Sequence, residues 1–141
     1  MVPGRDYIGV GAGGILSNGR QQILLLRRNK EPEVGKWSIP GGAIEYGENV
    51  EDALTREMRE EIGMRCDISL FLGFCNYILP DRSRHWISLF FVVEALDTGC
   101  NPMNMEPDKH SDMRWFDLDA LPEELTSNTQ KAIALYKKRC K

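Results

Sequence analysis

The segment from Gly42 to Met64, GAIEYGENVEDALTREMREEIGM, sets Glu48, Arg56, Glu57, Glu60 and Glu61 at fixed intervals along what reads as a loop followed by a helix. Carboxylates grouped in this way can hold a divalent cation against a chain of phosphates. At about 100° per residue, Glu57 and Glu61 lie only about 40° apart on a helical wheel. They fall within the apolar stripe marked by Val50, Ala53, Leu54 and Met58. A solvated acidic face would avoid that stripe. Two partly buried like charges repel, and each needs a partner. Mg²⁺ meets that need, because it takes one or two carboxylates, several waters and substrate phosphates.

The helix that carries these acids is bounded by its own sequence. Asn49 suits an N-cap whose side chain accepts from a free amide of the first turn. Glu51 and Asp52 place negative charge where the helix dipole favours it. Gly63 supplies the left-handed stop, so the helix is expected over about Val50 to Ile62. An ordinary surface helix with Arg56–Glu60 pairing would explain two of these residues. It would leave Gly41, Gly42, Gly47, Glu48 and Gly63 without a reason for their spacing.

The segment resembles the signature of the Nudix hydrolase family, G-x5-E-x7-R-E-U-x-E-E-x-G-U with U a bulky aliphatic, over 23 residues and without a departure, Met58 and Met64 filling the U positions. Trp37-Ser38-Ile39-Pro40-Gly41 resembles the usual lead-in, and a weaker likeness to MutT-like nucleoside triphosphate diphosphatases extends over most of the chain. The resemblance implies an α/β/α sandwich. It implies that Glu57 and Glu61 are the main metal ligands, with Glu60 a further ligand or base and the Gly41 carbonyl another ligand. Gly42, Glu48, Arg56 and Gly63 would be structural, Glu48 and Arg56 forming the ion pair that ties loop to helix. Mg²⁺ is the expected cofactor, with Mn²⁺ a substitute.

The same likeness marks residues outside the signature. Arg27 matches a phosphate-contacting arginine, although only one of Arg27 and Arg28 can face a given cleft, and Lys36 invites a similar comparison. Glu106, in Asn104-Met105-Glu106-Pro107-Asp108-Lys109, resembles an extra ligand or general base. Asn128 matches an asparagine that reads the base edge in MutT-like proteins, or is simply the N-cap of the last helix. Trp37, Trp86 and Trp115 could stack on a base, but packing is their better default. His85 and His110 have no partner pattern.

The elements that position these groups follow from pattern. Tyr7–Leu16 reads as a strand whose glycines imply close packing against its backbone. Ser17-Asn18-Gly19 is a hairpin-type turn, and Gln22–Arg27 is a second strand. Trp37–Ile39 enters the signature loop. Cys66–Leu79 and His85–Ala95 are long strands joined by Pro80-Asp81-Arg82-Ser83-Arg84. Thr98–Lys109 is loop, Met113–Asp117 a short strand, and Asn128–Lys138 a closing helix with Ala132, Ile133 and Leu135 on its apolar side. Strands and helices mix without βαβ alternation, which indicates an α+β fold with a mixed sheet between helices, in one domain over residues 5–141.

Composition narrows the function. A net charge of −3 argues against general nucleic-acid binding, while cations bound locally can still offset the charge of a small anionic substrate. No apolar run approaches the ~18–20 residues of a membrane span, and the start lacks the plan of a signal peptide. Cys66, Cys75, Cys100 and Cys140 make no metal pattern and read as free thiols in a cytoplasmic protein. The expected reaction is hydrolysis of a diphosphate bridge in a nucleoside triphosphate, giving monophosphate and pyrophosphate. Alternatives are an ADP-ribose or nucleotide-sugar pyrophosphatase, for which Pro80 gives some support, and a non-catalytic nucleotide-binding module. The partner is a small nucleotide, and dimers among relatives admit a homodimer.

Overall fold

The computed structural model describes residues 1–97 and 99–140. Thr98 and Lys141, the first residue of the expected loop and the last of the expected domain, lie outside the described residues. The element order is β1 (Gly9–Leu16), β2 (Gln22–Arg28), β3 (Trp37–Ser38), β4 (Gly41–Ala43), α1 (Val50–Ile62), β5 (Cys66–Ile78), β6 (His85–Ala95), β7 (His110–Asp117) and α2 (Ser127–Arg139).

The strands divide between two sheets rather than forming one. A mixed sheet runs β4-β1-β6-β5, with β1 parallel to β6 and antiparallel to β4. An antiparallel sheet runs β3-β2-β7. The Ser17-Asn18-Gly19 turn carries the chain from one sheet to the other, and the Ser17–Ile23 bridge and the Asn18 amide donating to the Gln22 carbonyl continue the pairing. Residues 80–84 close the long β5–β6 hairpin as expected.

Helices cover the two faces of the mixed sheet. Leu54, Met58 and Ile62 of α1 pack with Ala12, Leu16, Phe91 and Val93. Ala132 and Ile133 of α2 pack with Ile15, Leu72 and Phe90. Full burial of each such aliphatic side chain stabilises the fold by about 1.5–3 kcal/mol. Consecutive residues Ile15 and Leu16 thus serve opposite cores, as a strand's alternation requires.

The glycines of β1 do what their number implied. A Cβ at Gly9 would meet the Trp86 ring at 2.6 Å, one at Gly13 would meet Ile39 at 2.8 Å, and one at Gly14 would meet Val93 at 3.1 Å. Two elements depart from the sequence reading. β4 was not expected, because three residues inside a signature loop carry no periodicity. β7 starts at His110 rather than Met113, extended by pairing with Arg28 that its polar first residues do not advertise.

Candidate active site

Helix α1 presents the acids, and Arg56 fastens the loop to it. Its Nε donates to Glu48 Oε2 (2.7 Å) and its Nη2 to Glu48 Oε1 (3.0 Å) and to the Ala43 carbonyl (3.1 Å). The remaining Nη1 donates to Glu57 (2.9 Å) and Glu60 (3.0 Å). This fork is the geometry a guanidinium offers a carboxylate. The Arg56 bond, with the Glu45 amide behind it, holds the Glu48 carboxyl down at about 2. Glu60 is turned toward Arg56 and stays substantially exposed.

The Asn49 cap differs in detail. Its backbone is extended, as an N-cap requires, and Gly63 closes the helix in the left-handed region with φ 67°. The Asn49 side chain makes no capping bond; its amide nitrogen points instead to Asp52 Oδ2 at 3.4 Å. The Asp52 carboxylate draws the donor end of the amide toward it.

Two glycines let the acids reach the sheet. A Cβ on Gly42 would stand 2.4–2.6 Å from the Glu57 carboxylate, and one on Gly41 would stand 2.1 Å from the Ala12 carbonyl. Gly41, expected to act through its carbonyl, meets the acids through its amide, which donates to Glu61 Oε1 at 2.6 Å. Glu61 is only 7% exposed. Burial pushes its carboxyl up to about 8 against the Gly41 bond, and the nearby Glu57 and Glu106 charges add to the rise. Burial also raises Glu57, with Arg56 opposing. The two carboxylates are therefore withdrawn from bulk water and electrostatically coupled.

The loop before β7 completes the cluster. Its Met103 and Met105 amides donate to the Ile62 and Glu61 carbonyls (2.9 and 3.0 Å), satisfying the open end of α1. Asn104 then braces the turn, donating to the His110 carbonyl and accepting from the Glu106 amide. Glu106 pairs with Lys109 at 3.0 Å. His110 is buried with Nε2 3.4 Å from Glu61 Oε2, and its Nδ1 has no partner among the described residues. One ligand atom each from Glu61, Glu106 and His110 lies within 4.8 Å of the others. Burial, rather than the surrounding charges, is the chief cause that lowers the histidine's proton affinity. A neutral imidazole and paired carboxylates suit a divalent cation, so the residues present fit such an ion. Sequence reasoning passed over His110, since a lone histidine far along the chain from Glu61 carries no pattern. Only the longer β7, which sets it opposite Arg28, brings it in.

A cleft of about 310 Å³ opens beside the cluster. Its floor is the bare backbone of Gly11 and Gly13, flanked by Trp86, Ser88 and Phe90 of β6. Glu61, His110, Gly41 and Gly42 line the end at β4. Arg28, not Arg27, faces it; Arg27 is exposed and donates to the Gly35 carbonyl. Lys36 pairs with Glu33 at 3.7 Å. Asn128 lines the cleft but does not cap its helix, since Thr126 does so by accepting from the Thr129 amide. The Asn128 amide donates to Ser88 Oγ (3.0 Å) and accepts from Cys75 Sγ (3.1 Å). Trp37 packs edge-on against Phe116 and Trp115 rests on the α1 core, so of the three tryptophans only Trp86 reaches the cleft. Pro80 sits exposed in the β5–β6 turn, away from the cleft lining.

Comparison with known proteins agrees with this arrangement. The chain is 34% identical over 117 residues to an ADP-ribose pyrophosphatase of Methanocaldococcus jannaschii, covering 82% of this chain but 65% of that protein. It is 36% identical over 124 residues to an RNA pyrophosphohydrolase of Rhodospirillum rubrum, covering 79% and 73% respectively. The crystal structure of a MutT Nudix hydrolase from Burkholderia pseudomallei superposes with a TM-score of 0.83 at 32% identity, covering 92% of this chain and 98% of that one. The family model described as the NUDIX domain matches residues 8–136. With signature, fold and acidic cluster concordant, the chain belongs to the Nudix family.

Proposed function

We propose that the protein is a Mg²⁺-dependent pyrophosphohydrolase that cleaves a P–O–P bond in nucleoside triphosphates or related nucleoside diphosphate-X compounds, releasing monophosphate and pyrophosphate from the triphosphates. The observation that carries this reading is the buried Glu61, grouped with Glu106 and His110 at one end of a cleft of nucleotide-like size, with the Glu57 carboxylate beside it against Gly42. In this reading Glu57 and Glu61 are the principal ligands, with Glu60 and the Gly41 carbonyl contributing to the metal site. When bound, the cation offsets phosphate charge and acidifies a water. In the same reading Glu106 or Glu60 is the carboxylate that takes the proton from the attacking water. In this reading Arg28 and Asn128, which line the cleft, contact the nucleotide, and Arg27, which donates to the Gly35 carbonyl, does not.

A second reading is hydrolysis of ADP-ribose to AMP and ribose 5-phosphate, favoured by the likeness to the archaeal ADP-ribose pyrophosphatase. One assay separates the readings. The protein is incubated with Mg²⁺ and each of the NTPs, dNTPs, ADP-ribose and dinucleoside polyphosphates, and phosphorus products are followed by NMR. Pyrophosphate from triphosphates supports the first reading, and AMP from ADP-ribose alone supports the second. Nucleotide binding with no turnover of any compound would make the domain a binding module and sink both. A cytoplasmic location is part of this proposal, in keeping with four unpaired cysteines; among the described residues no helix is long and apolar enough to cross a membrane.

A further inference from the structure

The cleft has a second charged feature that the hydrolytic chemistry does not use. Strand order β4-β1-β6-β5 sets its direction, since the acids lie at β4 and the opposite end lies over β6 and β5. Three strand spacings separate the ends, about 14 Å, which suits a nucleoside with its phosphates toward β4. At the far end Tyr77 and Trp86 are cross-strand partners on one face, and Cys75 and Ser88 form the next such pair. Above them stands Glu33, from the loop between β2 and β3.

Glu33 is held there by construction. Its backbone is in the left-handed region with φ 60°, uncommon for a non-glycine residue. Its Oε1 accepts from the Ser127 amide at the start of α2 (3.2 Å) and is the oxygen facing Lys36. Its Oε2 has no hydrogen-bond partner in the described residues. Arg28 pins the loop by donating to the Pro32 and Glu31 carbonyls (2.7 and 3.3 Å). Arg28, Glu33 and Tyr77 line the cleft together, and the Tyr77 hydroxyl is raised first by burial and then by the Glu33 charge, with Arg28 opposing. A carboxylate can only accept hydrogen bonds. A carboxylate oxygen free to accept, beside two aromatic rings at the rim of the cleft, suits a ligand that brings N–H donors and a flat face.

We propose that the β5–β6 end of the cleft is a nucleobase subsite in which the free Glu33 oxygen accepts from an exocyclic amino group, so that amino-bearing bases are taken in preference to their oxo counterparts. The base lies against Trp86 or Tyr77, and a carbonyl in place of the amino group meets the carboxylate lone pairs with no proton between them. Glu33 is a specificity-determining residue in this account, and the inference rests on the nucleotide reading above.

Matched pairs test it without requiring turnover. Dissociation constants are measured by calorimetry for CMP against UMP, AMP against IMP and GMP against IMP, the amino group being replaced by an oxo group in the first two pairs and by hydrogen in the third. Wild-type protein is expected to bind the amino member at least about tenfold more tightly in at least one pair, the worth of a charge-assisted hydrogen bond. Glu33→Gln keeps an acceptor for Ser127 while offering an amide to the base, so it should bring that ratio close to one, chiefly by tightening the oxo member. A purely structural role for Glu33 would weaken both members equally. Binding without discrimination in all three pairs, or a ratio unmoved by E33Q, overturns the subsite and leaves the hydrolytic reading intact. Failure of every monophosphate to bind overturns the subsite as well, and the triphosphate assay above then decides the hydrolytic reading separately.

Discussion

Gly42→Ala is the substitution whose effect the geometry fixes most closely. The added methyl carbon would lie 2.4 Å from the nearest Glu57 carboxylate atom, where ordinary contact begins at 3.4 Å. The clashing atoms are the end of a flexible side chain, so the carboxylate withdraws by about 1 Å while the backbone and the core stay in place. A 1 Å displacement of a catalytic group costs about 10²-fold in rate, equivalent to about 2.7 kcal/mol of barrier. Turnover of a nucleoside triphosphate in the presence of Mg²⁺, by pyrophosphate release, should therefore fall about a hundredfold in G42A. The thermal midpoint should move by no more than a few degrees. Gly99→Ala is the control, because a Cβ there meets nothing among the described residues within 4 Å, and it should leave turnover unchanged. Near-normal turnover in a folded G42A would show that the Glu57 carboxylate does no work where it stands.

Two further perturbations probe the supports of the site. Glu48 is held at about 2 against an ordinary 4.5 by Arg56, so its ionised form stabilises the fold above pH 4.5 and that contribution is lost as pH falls toward 2. Urea midpoints of wild type and Glu48→Gln should differ at pH 6 and converge between pH 4.5 and 2; a pH-independent gap would contradict the pairing. Met105→Pro removes the amide that donates to the Glu61 carbonyl. It should lower turnover at least tenfold by releasing Glu106 and His110, while Met105→Leu retains activity; equal rates in both variants would show that the loop does not position the cluster.

The legible part of the fold was the part governed by local spacing. Helix α1 ends where Gly63 dictates, and Ala53, Leu54 and Met58 are buried as their periodicity requires. The interruption of that stripe by Glu61 is an equally local signal, and its carboxylate is indeed buried. The glycines of β1 announced close packing, though not that Trp86 and Ile39 supply it. What sequence could not carry was set by pairing between distant segments. The register that joins Arg28 to His110 decides both which arginine faces the cleft and why an unpatterned histidine reaches Glu61. The same limit explains Asn128. Thr126, two residues earlier, suits an N-cap just as well, and the folded contacts decide between them: Thr126 accepts from the Thr129 amide, while Asn128 turns to Ser88 on β6.

The central claim, that Glu57 and Glu61 together hold a divalent cation at the β4 end of the cleft, is tested most directly by Mn²⁺ titration followed by electron paramagnetic resonance. Wild type should bind the ion, and Glu57→Gln and Glu61→Gln, each still folded by circular dichroism, should weaken it by at least about tenfold, as loss of a ligand must exceed the effect of losing a supporting group. Mn²⁺ affinity unchanged in both variants would contradict the account.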